Sequence, residues 1–103
     1  MILESVNGGG KAAAILLSRM RWNIDLIGTK NGVNLEFTTP TDFTYAGMVV
    51  IRVFRNGQRL REGALNDFVV SESGGLGTGF DTITLVNNAP LSDEVLTADY
   101  VTV

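Results

Sequence analysis

The residues of this 103-residue chain that could do chemistry are a glycine-rich stretch ending in lysine and a few carboxylates. Residues 8–11 read GGGK, and glycine amides that lead into a helix favour anions, as in a phosphate-binding loop. The full phosphate-loop pattern fails, because Ser5 stands where its first glycine is needed and Ala12 where the magnesium-binding Ser or Thr is needed. We therefore interpret the stretch as a flexible hinge before a helix.

Asp93 and Glu94, with Asp99 nearby, are the carboxylates that could serve hydrolysis or calcium binding. Neighbouring residues of a strand point to opposite faces, so the adjacent pair does not converge on one ion. The glycines of residues 74–79 resemble a dinucleotide-binding loop only superficially, because no helix is predicted after them. The chain has no cysteine and no histidine, which removes disulfides, Cys/His zinc sites, thiol nucleophiles and imidazole-based triads. The sequence predicts no catalytic residue, no metal site and no cofactor.

The net charge of −3 is unevenly distributed along the chain. Residues 1–30 carry +2, whereas residues 31–103 carry −5, and an acidic body of this kind argues against nucleic-acid binding. The apolar run at residues 12–17 is too short to span a membrane and follows an acidic residue. Neither a signal peptide nor a membrane anchor is expected, and the cytoplasm is the expected place of synthesis.

Three segments differ in their patterning. Residues 1–10 join an apolar start to a triple glycine, which predicts a flexible N-terminal arm. Residues 11–27 form a connector whose apolar spacing predicts a helix over about 11–21, while alternation from Trp22 onward fits a strand equally well. Residues 28–103 consist of short β-branched runs bounded by turn residues, which predicts an all-β domain, a small antiparallel sandwich or barrel.

The Asn56-Gly57 pair lies between two alternating runs and predicts a two-residue type I′ hairpin turn. This turn sets the cross-strand pairs Arg55–Gln58, Phe54–Arg59, Val53–Leu60 and Arg52–Arg61. The core side then holds Val49, Ile51, Val53 and Leu60, and the opposite side holds Val50, Arg52, Phe54, Arg59 and Arg61. That opposite side is either a solvated face, with Phe54 covered by arginine stems, or a docking face for an acidic partner surface.

The last strand alternates with apolar residues on both sides. One face holds Leu96, Ala98 and Tyr100, and the other holds Val95, Thr97, Asp99, Val101 and Val103. Such a strand is either central in its sheet or covered by another chain, and its terminal position favours coverage by a neighbouring subunit. Before it, Pro90 is expected to direct a turn in which Asp93 bonds the neighbouring backbone.

The order of these motifs resembles a β-domain that recurs in virion proteins of tailed bacteriophages, including fibre, baseplate and head-to-tail components. The resemblance covers residues 28–102. The matching positions are Gly28, Asn31, Gly32, Asn34, Phe37 and Pro40, then Val53, Asn56, Gly57 and Leu60, then Gly63, Asp67, Phe68 and Val70, then Ile83, Thr84, Ala89, Pro90, Asp93, Val95 and Tyr100. The chain departs from the pattern by Phe68 in place of tyrosine and by a longer loop at residues 72–79, which could be a contact element or a tether.

The resemblance implies a non-enzymatic structural protein of the virion that contacts other virion proteins and forms a homo-oligomer, a trimer or ring. A head-to-tail or tail adaptor, a fibre-anchoring piece and a capsid decoration protein all fit. The predicted interface residues are Ile2, Leu3, Val6, Leu16, Met20, Trp22, Arg52, Phe54, Arg59, Arg61, Val95, Val101 and Val103. The alternative is a glycan- or receptor-binding module of a fibre, with Trp22, Tyr45 or Phe80 as a stacking platform.

Overall fold

A computed structural model describes residues 19–43 and 51–102 of the chain. These residues form seven β-strands, namely β1 (Met20–Asp25), β2 (Glu36–Phe43), β3 (Ile51–Arg55), β4 (Gln58–Arg59), β5 (Phe68–Ser71), β6 (Phe80–Leu85) and β7 (Leu96–Val101). The predicted all-β class is confirmed. Within the described residues, no helix is long and apolar enough to cross a membrane.

The strands form two antiparallel sheets, one of four strands in the order β1-β7-β3-β4 and one of three in the order β2-β6-β5. The chain passes between the sheets at Ile27, which exchanges two backbone hydrogen bonds of 2.8 Å with Thr38 of β2. A second bridge joins Phe43, at the end of β2, to Thr102, after β7. Backbone bridges therefore connect the two sheets at two places.

Alternating residues from the two sheets build one hydrophobic core. Its fully buried members are Phe37, Phe43, Ile51, Val53, Phe68, Ile83, Leu85, Leu96, Ala98 and Tyr100. The Tyr100 hydroxyl lies 3.2 Å from the Thr41 hydroxyl of the opposite sheet, so the polar end of this buried ring has a partner. Because β3 and β7 each bury every second residue, their other residues point away from the core.

The predicted hairpin is confirmed at its turn. Asn56 and Gly57 have φ values of 52° and 82°, Phe54 pairs with Arg59, and Arg55 pairs with Gln58. The Leu60 amide also donates to the Val53 carbonyl at 2.8 Å.

The predicted pairing of Arg52 with Arg61 is wrong, because β4 ends at Arg59. The Arg61 amide donates instead to the Asp67 carboxylate at 2.7 Å, and Arg52 lies across from Asp99 of β7. Arg52 thus faces an opposite charge across the β3–β7 ladder, and among the described residues no arginine pairs with it on the β4 side.

The predicted arm, residues 1–10, and residues 11–18 of the connector lie outside the described residues. The helix predicted as far as residue 21 is wrong at Met20 and Arg21, which belong to β1 and pair with Val101 and Tyr100 of β7. The strand alternative, made for the stretch from Trp22 onward, holds for Trp22–Asp25, and β1 begins two residues earlier because pairing with β7 outweighs local helix propensity. The four-stranded sheet therefore begins before Gly28.

The last strand is central in its sheet. β7 pairs with β1 on one side and with β3 on the other, which is the first of the two explanations for its apolar faces. Both edges of β7 are therefore paired within this chain. The second explanation, coverage by a neighbouring subunit, is not needed to explain that pairing. Its outward residues Thr97, Asp99 and Val101 are half-buried.

Candidate interaction surface

The four-stranded sheet has one face on the core and one face turned away from it. Residues that pair across neighbouring strands point to the same face, so the side chains of this second face form rows that run across the strands. We call it the outer face, and its residues are Met20, Trp22, Asp25, Arg52, Phe54, Arg59, Thr97, Asp99 and Val101. The longest row runs through all four strands in the order Asp25, Thr97, Phe54, Arg59.

A β-bulge in β1 sets the position of Trp22. The register between β1 and β7 shifts between Arg21 and Ile24, so Trp22 and Asn23 together occupy the place opposite Asp99. Asn23 has a positive φ of 53°, and its amide donates to the Asp99 Oδ1 at 2.7 Å. The bulge leaves the indole of Trp22 58% exposed, which is unusual for the largest apolar side chain of a small domain.

A shallow groove of about 350 Å³ lies beside this tryptophan. Its lining residues are Trp22, Asn23, Phe54, Gly57, Thr97 and Asp99. Two aromatic side chains thus flank a carboxylate and a backbone turn, which suits an inserted apolar side chain or a stacked ring.

Charges of both signs border the aromatic residues. Arg52, Arg59 and Asp25 are exposed, and Asp99 is half-buried. The ion pair Arg55–Glu94 lies away from this face, and within residues 19–43 and 51–102 no ion pair joins two of the charges named here. The outer face therefore combines exposed apolar area with charges open to a partner.

The structure brings together those predicted interface residues that lie on β1, β3, β4 and β7. Met20, Trp22, Arg52, Phe54, Arg59 and Val101 all belong to the outer face. Arg61 has left the hairpin, and Val95 is 50% exposed beside the Asn56 turn, at the end of the sheet. Ile2, Leu3, Val6, Leu16 and Val103 lie outside the described residues.

A second polar cluster holds the loop before β7 against the β3–β4 turn. The Glu94 carboxylate accepts hydrogen bonds from Arg55 Nη2 at 2.6 Å, Arg55 Nε at 2.8 Å, the Leu91 amide at 2.9 Å and Asn56 Nδ2 at 3.1 Å. The hydrogen bonds from Arg55 are the main cause of a Glu94 pKa lowered to about 2. Lys30 Nζ donates to the Glu94 carbonyl. With its oxygens occupied in this way, the carboxylate is a structural group rather than a general base.

This cluster corrects one prediction about the turn. The side chain that bonds the turn backbone is Glu94 and not Asp93, because the Leu91 amide faces the Glu94 carboxylate. The turn role of Pro90 agrees with its position, since Pro90 is fully buried and its carbonyl accepts the Gly32 amide at 2.9 Å.

The long loop between β5 and β6 is organised by carboxylates. Glu72 accepts the Gly77 amide at 3.1 Å and the Gly79 amide at 2.8 Å. Asp81 accepts both the hydroxyl and the amide of Ser73, and these hydrogen bonds lower the Asp81 pKa. Leu76 is fully exposed on this loop. The loop thus has internal order, but it presents a single apolar side chain and not a patch.

Of the three aromatic residues considered for stacking, Trp22 is exposed on the outer face. Phe80 packs against the core with its ring 6.2 Å from that of Phe43, and Tyr45 lies outside the described residues. Among the described residues, no group of three or more acidic side chains comes together as a metal site. Comparisons of the chain with protein-family models, with curated proteins and with solved structures give no match.

Sequence reasoning missed two features of this surface. The bulge at Asn23 has no local signal other than the tolerance of asparagine for positive φ. The sequence pattern assigns Asp25 to the connector. That assignment does not show that Asp25 lies at the end of the longest row of the outer face. Simple alternation puts Trp22 and Ile24 on one face and Asp25 on the other, whereas the bulge brings Trp22 and Asp25 together on the outer face, so the sequence pattern misses this arrangement.

Proposed function

We propose that this chain is a non-enzymatic structural protein of a tailed-bacteriophage virion, which assembles through contacts between subunits. The observation that supports assembly most directly is the outer face, where Trp22 and Phe54 lie among charges of both signs. The resemblance over residues 28–102 supports the virion assignment. An adaptor between head and tail or within the tail, a fibre-anchoring piece and a capsid decoration protein are the places in the particle that fit this proposal.

The mechanism is association rather than chemistry. Burial of apolar surface stabilises a contact by about 25 cal/mol per Å², and charges around it select the partner and the orientation. A small contact repeated by symmetry, with a tether that keeps copies together, gives a stable assembly from weak pairs. Residues 1–10, with their apolar start and triple glycine, are the proposed tether to a neighbouring subunit in a trimer or ring.

Deletion of residues 1–10 tests the tether. We expect the shortened chain to keep its fold and to form smaller or weaker oligomers than the full chain, as measured by sedimentation velocity over a range of concentrations. Circular dichroism and the melting temperature serve as the control for folding. An oligomer of unchanged size and affinity would refute the role of the arm.

The alternative is a glycan- or receptor-binding module, and the exposed indole of Trp22 beside Asn23 and Asp99 favours it. An aromatic face flanked by a carboxylate and an amide can stack on a sugar ring and bond its hydroxyls. Trp22 is the single tryptophan of the chain, so its fluorescence reports directly on this groove. A glycan array followed by a fluorescence titration separates the two proposals, because a saturable shift with a sugar supports the module.

A further inference from the structure

The order of charges across the outer face is the starting point. The longest row runs from Asp25 on β1 through Thr97 and Phe54 to Arg59 on β4. Neighbouring strands are spaced by about 4.8 Å, so the acid and the arginine lie roughly 14 Å apart, on the two edge strands of the sheet. Both side chains are exposed.

The next row repeats this order. Asp99 of β7 lies across from Arg52 of β3, so the acid is again on the side of β1 and the arginine on the side of β4. The outer face is therefore divided lengthwise into a negative half, on β1 and β7, and a positive half, on β3 and β4. The aromatic residues contribute to both halves, with Trp22 on β1 and Phe54 on β3.

Such a division makes the face complementary to itself under one particular symmetry. A two-fold axis between two facing sheets, parallel to the strands, reverses the order of the strands and keeps the rows in register. Asp25 then meets Arg59 of the second copy, and Asp99 meets Arg52 of the second copy. A two-fold axis across the strands would instead set each strand against itself and bring like charges together.

We propose that two copies of this chain pack through their outer faces about a two-fold axis parallel to the strands. Each copy contributes the same residues, so each of these two ion pairs forms twice, around a centre where Phe54 covers Thr97 of the second copy. The strands of the two sheets lie within about 30° of each other, as in aligned sheet packing. This inference rests on the proposed function and specifies one of its contacts, which either stands alone as a dimer or joins two rings face to face.

The face is small, since four strands span only about 19 Å. A contact of this size buries less area than the roughly 800 Å² per partner of a standard interface, so its affinity is expected to be low. Association must therefore be measured over a wide concentration range, and charges at the edges of the contact have a proportionally large effect on it.

Charge reversal at the two ends of the longest row tests the proposal. Asp25→Arg alone places arginine against Arg59 of the second copy, and Arg59→Asp alone places two acids together. We expect each single variant to dimerise at least about 10-fold more weakly than the wild type. An equimolar mixture of the two variants restores both ion pairs in the mixed dimer, and the double variant restores them in its own dimer. Sedimentation equilibrium at matched concentrations measures all four.

Asp93→Arg is the matched control, because Asp93 is an exposed carboxylate outside the outer face. It is expected to dimerise like the wild type. Both tested residues are exposed, so melting temperatures close to that of the wild type will show that the variants fold.

The outcomes separate this inference from the proposed function. A wild type that oligomerises while both single variants do so equally well overturns the two-fold contact and leaves assembly standing. Single variants that are weakened but are not restored by mixing also overturn the two-fold contact alone. A wild type that stays a single subunit at every concentration overturns both.

Discussion

At the scale of single residues, Glu94 is the side chain that ties two distant turns together. Its carboxylate receives four hydrogen bonds, two of them from Arg55, which lies 39 positions earlier in the chain. Bidentate pairing of arginine with a carboxylate is among the stronger polar contacts in proteins. The Glu94 carboxylate is therefore one of the main groups that hold the loop before β7 against the β3–β4 turn.

Replacing Glu94 by glutamine tests this dependence through pH. The folded pKa of about 2 lies below the ordinary value of 4.5, so the charged form contributes stability that is fully present above pH 4.5 and is lost as the pH falls towards 2. Glu94→Gln should lower the melting temperature by a few degrees at pH 7 and by progressively less between pH 4.5 and 2. Thermal denaturation at several pH values measures the difference.

Asp93→Asn is the control for this prediction, since Asp93 is the exposed neighbouring acid in the same turn. Its melting temperature should follow that of the wild type across the pH range. A gap between wild type and Glu94→Gln that stayed constant down to pH 2 would contradict the electrostatic account.

The Asn56-Gly57 turn is predictable from the sequence because its signal is local, two adjacent residues that tolerate positive φ. The partner of Arg55 is not predictable in the same way, because a separation of 39 residues leaves no pattern in a single sequence. The same reason explains why the turn pattern favours Asp93 in place of Glu94. Only the fold shows which of two adjacent carboxylates faces the arginine.

At the scale of elements, the passage from β1 to β2 requires a residue without a side chain. Gly28 lies where the chain leaves one sheet for the other, with a φ of 156°, and a Cβ built there would lie 2.5 Å from Cδ2 of Phe37. Phe37 is 1% exposed and belongs to the core, so it has little room to move. Close approach of the two sheets at this corner thus depends on glycine.

Gly28→Ala is expected to reduce the free energy of unfolding by about 2 kcal/mol or more, because the new methyl group overpacks the core and the backbone angle disfavours it. Gly75→Ala is the matched control, since Gly75 also has a positive φ, 104°, but faces open space. Its expected loss is about 1 kcal/mol. Chemical denaturation of both variants measures the difference, and equal losses would show that the contact with Phe37 does not matter.

Most strands are predictable from alternation and turn residues, as β3 and β7 illustrate by burying every second residue. Their order in the sheets is not predictable, because it depends on long-range pairing. β7, for example, is the last strand along the chain but lies between β1 and β3. β1 is not predictable as a strand, because the spacing of its apolar residues fits a helix and a strand equally well.

At the scale of the whole molecule, the two sheets bury one set of faces against each other, and the outer face of the four-stranded sheet includes exposed side chains such as that of Trp22. That face has Trp22 in its negative half and Phe54 in its positive half, whereas Leu65 and Leu76 are exposed on loops. A continuous face with apolar and charged groups marks a site of association more clearly than scattered apolar residues do. The outer face is therefore the surface on which we propose a contact between subunits.

The most direct test compares Phe54→Thr with Leu76→Thr by sedimentation equilibrium. Threonine suits a strand, so the first variant removes the aromatic ring from the outer face while keeping β3, and the second removes an apolar group from a distant loop. We predict that Phe54→Thr weakens self-association by about 10-fold or more and that Leu76→Thr leaves it unchanged, with both variants folded. Association that is unaffected by Phe54→Thr, or that is lost instead with Leu76→Thr, would contradict the account.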